Sequence, residues 1–93
     1  MDSTTVTVTN PLGLHLRTGR EVVQVANQFQ AAITAQNLSN DSPQVDAKSI
    51  LQLMQLQARQ GHILLLCAEG PDAQLALNAL VAIFSLGGMP TII

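Results

Sequence analysis

The chain has 93 residues, 47% of them apolar, only 11% charged, and a formal net charge of −2. That supports one small core and argues against disorder, two separate domains and nucleic-acid binding. One cysteine excludes an internal disulfide, and one cysteine with two histidines argues against a structural zinc site. The longest apolar runs, Ile63–Ala68 and Ala79–Phe84, fall far short of the ~20 residues of a membrane span. Met1–Thr5 has neither the basic nor the apolar part of a secretory signal, so cytoplasmic residence without membrane insertion is expected.

Thr4–Thr9 alternates Thr with Val and predicts a strand with Val6 and Val8 on its buried face. Asn10–Gly13 reads as a turn. From Leu16 to Phe29, Val22, Val23, Ala26 and Phe29 recur at helical spacing. Ala32–Asn37 predicts a second strand, Leu38–Pro43 a turn, and Gln44–Asp46 a short third strand. Ser49–Gln57 predicts a short helix opened by a Ser49-x-x-Gln52 capping box. His62–Glu69 predicts a fourth strand, and Asp72–Leu86 the longest helix, with Leu77, Leu80, Val81 and Phe84 as its core stripe. The order strand, helix, strand, strand, helix, strand, helix predicts an α+β two-layer domain.

Gly13-Leu14-His15-Leu16-Arg17 stands between the first strand and the first helix. A histidine at a helix N-terminus meets free backbone N–H groups and the positive end of the helix dipole, which favours an anion, including a phosphoryl group on the imidazole itself. A guanidinium two residues on supplies charge-assisted hydrogen bonds to phosphate oxygens. On these five residues alone, an exposed loop histidine beside an exposed arginine is the competing reading.

The chain resembles the histidine-containing phosphocarrier (HPr) family of the bacterial sugar phosphotransferase system. Three stretches carry the likeness, over about residues 4–88: Gly-Leu-His-x-Arg at Gly13–Arg17, Ala47-Lys48-Ser49-Ile50-Leu51 followed by Leu53 and Met54, and Ala68-Glu69-Gly70 with the terminal helix. The resemblance implies an open-faced β-sandwich, a four-stranded antiparallel sheet with three helices on one face (βαββαβα). It implies a phosphocarrier domain over residues 1–88, followed by an apolar tail, 89–93. It implies that His15 accepts a phosphoryl group on Nδ1 from enzyme I and passes it to an enzyme IIA, with Arg17 stabilising phosphoryl charge and no metal or cofactor. Leu16, Arg17 and Thr18 would bind the phosphoryl group; Leu16, Arg20, Gln24, Ile50, Leu51 and Met54 would dock partners. Such a carrier is the substrate of its partners and not itself an enzyme.

The sequence departs from the family's pattern in places. Leu16 stands where a small residue is usual, and Thr18 where proline is usual. Thr18 adds a hydroxyl able to donate to the phosphoryl group, and opens a second capping-box reading with Glu21 that would start the helix later. The earlier start is preferred, because the phosphoryl site needs the N–H groups just after His15. The loop between the second and third strands is longer than usual, and Gln24, Asn27 and Gln52 replace basic residues, which weakens steering toward an acidic partner.

Ser49 reads first as a helix N-cap; in some family members the matching serine is phosphorylated by a dedicated kinase. Hence an alternative function, a regulatory interaction module switched at Ser49. A plain small α+β binding domain is a third, which leaves the Ala-Lys-Ser stretch unexplained. Cys67 and His62 read as an ordinary strand residue and a surface residue. Alternation leaves Ile63, Leu65 and Cys67 on the sheet face without helices. That apolar face predicts cover by the 89–93 tail or, in a homodimer, by a second copy; an uncovered monomer is the simpler alternative.

Overall fold

The computed structural model of the chain describes residues 1–85. Its elements are β1 (Asp2–Thr7), α1 (Leu16–Ala26), β2 (Ala32–Asn37), β3 (Val45–Asp46), α2 (Ile50–Met54), β4 (Ile63–Glu69) and α3 (Ala73–Ser85). The four strands form one antiparallel sheet in the order β1-β4-β2-β3. The open-faced α+β architecture expected from the sequence is the one observed. The residues expected to form a tail, 89–93, and the idea that they cover the open face, lie outside the described residues.

Alternation sorts the sheet into two faces. Val6 pairs with Leu64, Ile33 with Ala68 and Ala35 with both Leu66 and Val45, and all are buried. Onto this face pack Val22 and Ala26 of α1, Leu53 of α2 and Ala76, Leu77, Leu80 and Phe84 of α3. Removing a leucine the size of Leu77 or Leu80 from water is worth about 1.5–3 kcal/mol, so the stripe on α3 is a main anchor of the layer. Val81, expected in that stripe, lies at its edge and is half-buried.

Several boundaries differ from the sequence expectation. Strand β1 starts two residues earlier, since Asp2 and Ser3 pair with Ala68 and Cys67. Helix α1 ends at Ala26 with Asn27 as its C-cap, and the Asn27 amide donates to the Val23 carbonyl at 2.9 Å and to that of Lys48 at 3.3 Å. Helix α2 stops at Met54 and not at Gln57. Its last bonds tighten to i→i−3 geometry, and Gln57 takes a left-handed φ of +48° that turns the chain and leaves Leu56 and Ala58 buried.

The capping box at Ser49 is half-formed. Ser49 Oγ accepts the Gln52 N–H at 3.3 Å, but the Gln52 side chain accepts the N–H of Asp46, at 2.8 Å, in place of that of Ser49. Gln52 thereby ties α2 to β3. Asp72, at the start of α3, accepts the N–H groups of Gln30 and Ala31, both at 2.9 Å. The Gln30 N–H foremost holds the Asp72 carboxyl below the usual carboxylate value; desolvation opposes it, and the Ala31 N–H adds to the lowering.

Two single residues correct the sequence reading. Cys67 lies on the helix-free face yet is buried, because it sits on the central strand between Ser3 and Thr34; Leu65 is half-buried and Ile63 exposed. His62 is not a free surface residue. Its Nδ1 accepts the Arg59 N–H at 3.1 Å and the side-chain amide of fully buried Asn37 at 3.0 Å. Asn37 also donates to the Leu56 carbonyl and accepts the Ser39 N–H, both at 3.0 Å, so a polar residue on the inward face of β2 is satisfied.

Candidate functional site

The His15 loop is held from both sides. Asn10–Gly13 closes as a turn, with the Gly13 N–H donating to the Asn10 carbonyl at 2.8 Å and Asn10 Oδ1 accepting the Leu12 N–H at 2.9 Å. Gly13 has φ +72°, and a Cβ there would lie 2.5 Å from the Ala58 carbonyl oxygen. Only glycine fits that approach without displacing backbone. The next residue, buried Leu14, donates its N–H to the same Ala58 carbonyl at 2.9 Å.

His15 is the N-cap of α1, with extended backbone (φ −99°, ψ 178°), and its carbonyl accepts the first helical bond from Gly19 at 2.8 Å. The helix therefore starts at Leu16, as preferred from the sequence, and not at the Thr18 capping box. The half-exposed ring turns Nδ1 to the helix N-terminus, where it accepts the Arg17 N–H at 3.3 Å. The other edge faces inward: Nε2 is 3.2 Å from Thr18 Oγ1 and 3.3 Å from the Asn10 amide nitrogen. The Thr18 hydroxyl, expected beside a phosphoryl group, thus lies against the opposite edge of the ring and is buried. The sequence marks Asn10 as a turn residue only. The turn chemistry was visible in the sequence, but nothing in it aimed the amide back at the ring.

The Arg17 side chain is exposed and makes no hydrogen bond to another described residue. It is free to fold over an anion at Nδ1. Leu16 and Leu51, large apolar side chains, are 50% and 78% exposed. Leu16, Arg20 and Gln24 are exposed at i, i+4 and i+8 along α1. Ile50 and Met54 are only half-buried, packed on Gly19 of α1, where an added Cβ would lie 2.6 Å from Met54 Cε and 2.8 Å from Ile50 Cδ1. Small Gly19 thus lets α2 lie close beside the Leu16 edge of α1. Ser49 is at the edge of this surface: the Asn27–Lys48 contact puts the start of α2 beside the last turn of α1, at the opposite end of that helix from His15.

Among the described residues no group of three His, Cys, Asp or Glu side chains is placed to hold a metal ion, and no helix is long and apolar enough to cross a membrane.

The family described as "PTS HPr component phosphorylation site" matches residues 3–85. The phosphocarrier protein HPr of Cupriavidus necator is 39% identical over 85% of this chain and 85% of its own length. The multiphosphoryl transfer protein of Vibrio cholerae is 39% identical over 89% of this chain, which spans only 21% of that relative. The HPr-C-His structure from Thermoanaerobacter tengcongensis superposes with a TM-score of 0.87 at 34% identity, covering 98% of this chain and all of that one. With this sequence coverage and this sheet topology, the chain belongs to the HPr family of phosphocarrier proteins.

Proposed function

We propose that the chain is a phosphoryl carrier of a phosphoenolpyruvate-dependent phosphotransferase system, accepting a phosphoryl group on His15 Nδ1 from enzyme I and passing it to an enzyme IIA. The observation that carries this reading is the position of Nδ1, at the N-terminus of an eleven-residue helix and in line with the Arg17 N–H. A neutral imidazole attacks phosphorus through the Nδ1 lone pair as the bond between phosphorus and the donor breaks, and that electron pair leaves with the donor. The Arg17 N–H, which Nδ1 accepts at rest, is then free to donate to a phosphoryl oxygen. The N–H groups of Leu16 and Thr18 and the Arg17 guanidinium supply further positive potential. Leu16, Arg20, Gln24, Ile50, Leu51 and Met54 form the docking surface, apolar at its centre and short of basic residues. Being phosphorylated and dephosphorylated by its partners, the protein turns nothing over alone.

A second role at Ser49 is supported by its place at the edge of that surface, beside exposed Leu51. A phosphate added there by a serine kinase would be screened from His15, since the Debye length is about 8 Å at physiological ionic strength. It would act on docking and not on the chemistry.

The test is incubation with phosphoenolpyruvate and enzyme I. The expected product is one added phosphoryl group that is acid-labile and base-stable, and His15→Ala should not acquire it. A His15→Ala protein that still does would overturn the assignment.

A further inference from the structure

The two edges of the His15 ring meet different partners, and together these decide which nitrogen carries the proton. Nδ1 faces the Arg17 N–H at 3.3 Å, a backbone group that can only donate. A proton on Nδ1 would set two donors against each other at a helix start whose backbone cannot turn away. Nε2 faces the Thr18 hydroxyl at 3.2 Å, which can accept as well as donate, and the Asn10 amide nitrogen at 3.3 Å. The Asn10 amide is oriented by the Leu12 N–H on its Oδ1, so it presents a donor to Nε2 and by itself would favour a bare Nε2. The Asn10 amide sits on a rotatable, partly exposed side chain and can turn its protons elsewhere, whereas the direction of the Arg17 N–H is set by the helix backbone.

We infer that Thr18 is a positioning residue for phosphoryl transfer: its hydroxyl accepts the Nε2 proton and holds His15 in the tautomer whose Nδ1 lone pair is free to attack. The role in transfer rests on the carrier reading above; the tautomer does not. As the Nδ1–P bond forms and the bond to the donor breaks, the proton stays on Nε2 and the ring takes on positive charge. The bond from Nε2–H to Thr18 Oγ1 then strengthens, so the hydroxyl contributes more in the transition state than at rest. The family's usual proline at this position has no hydroxyl, so this is a device of the present chain.

The experiment compares wild type with Thr18→Val, which keeps the shape of a buried side chain, and Thr18→Ser, which restores the hydroxyl. Two-bond nitrogen–proton correlations on the unphosphorylated protein read the tautomer, with no phosphoryl donor present. Wild type and Thr18→Ser should show Nε2–H; Thr18→Val should show a mixture of tautomers. With enzyme I, Thr18→Val should accept phosphate about five- to tenfold more slowly, the loss of one hydrogen bond, and Thr18→Ser should recover most of the rate. Wild type protonated on Nδ1, or Thr18→Val with an unchanged tautomer and rate, would overturn the inference and leave the carrier reading standing. If enzyme I phosphorylates none of the three, the carrier reading and the transfer role fall together, and the spectra alone decide the tautomer.

Discussion

The starts of α1 and α2 are built alike and do different things. Each opens on an extended residue whose side chain accepts a backbone N–H of the first turn at 3.3 Å, His15 from Arg17 and Ser49 from Gln52. At α1 the accepting atom is an imidazole nitrogen, an arginine follows two residues on, and eleven helical residues stand behind it. At α2 the acceptor is a hydroxyl, the helix carries no charged side chain, and it has five residues. A cap satisfies an orphan donor in either place. Only at α1 does the capping atom carry an imidazole lone pair, nucleophilic without prior loss of a proton, with an arginine and backbone donors beside it. In the reading proposed above, the same local geometry serves a helix in one place and a reaction in the other.

The largest expected effect separates the two caps outright. His15→Ala should abolish phosphoryl acceptance from enzyme I, while Ser49→Ala should retain it near the wild-type rate, both read by mass spectrometry. A large loss in Ser49→Ala would break the division between chemical and structural cap. Next, Arg17→Ala should slow transfer by about ten- to a hundredfold, as for one electrostatic donor to a transition state. Partner affinity measured by calorimetry should change little, because the guanidinium acts on charge that is greatest in transfer. A matching loss of affinity would make Arg17 a docking residue instead.

Glycines on either side of His15 sharpen the comparison through stability. Gly13→Ala meets the Ala58 carbonyl and a left-handed φ, and should cost about 2–4 kcal/mol in denaturant unfolding. Gly19→Ala meets only the ends of the Met54 and Ile50 side chains, which can move, and should cost distinctly less. Equal costs would mean that the His15 loop is not clamped on Ala58. The smallest effect belongs to the Ser49 cap: Ser49→Ala should lower stability by about 1 kcal/mol. Ser49→Asp should keep the fold, since a negative charge suits a helix start, and should weaken binding to enzyme I. Unchanged binding in Ser49→Asp would leave this serine as a cap alone.

Much of this was legible in the sequence because it depends on short-range pattern. Thr-Val alternation put Val6 and Val8 on the buried face, and the period of α3 picked out Leu77, Leu80 and Phe84; what a phosphoryl site needs, and not local pattern, favoured the start of α1 over the Thr18 capping box. What escaped is set by partners distant in the chain or in direction. The Ser49-x-x-Gln52 spacing was right, yet the Gln52 side chain accepts from Asp46, which lies within reach only because α2 folds back onto β3. His62 looked free until Asn37, 25 residues away, was brought to its ring.

The sequence by itself determined the order of elements and the faces of the strands, since these follow from 2.0- and 3.6-residue periods, and it put a histidine and an arginine near a helix start while capping chemistry also offered the later Thr18 box. Only the tertiary structure decided which edge of the His15 ring meets which group. Asn10 and Thr18 reach Nε2 because the loop is pinned by Gly13 and Leu14 on the Ala58 carbonyl, more than forty residues further on. A ring orientation fixed by a hydrogen bond across that separation has no local signature, because the chain pattern sets backbone shape and only packing sets where a side chain can point.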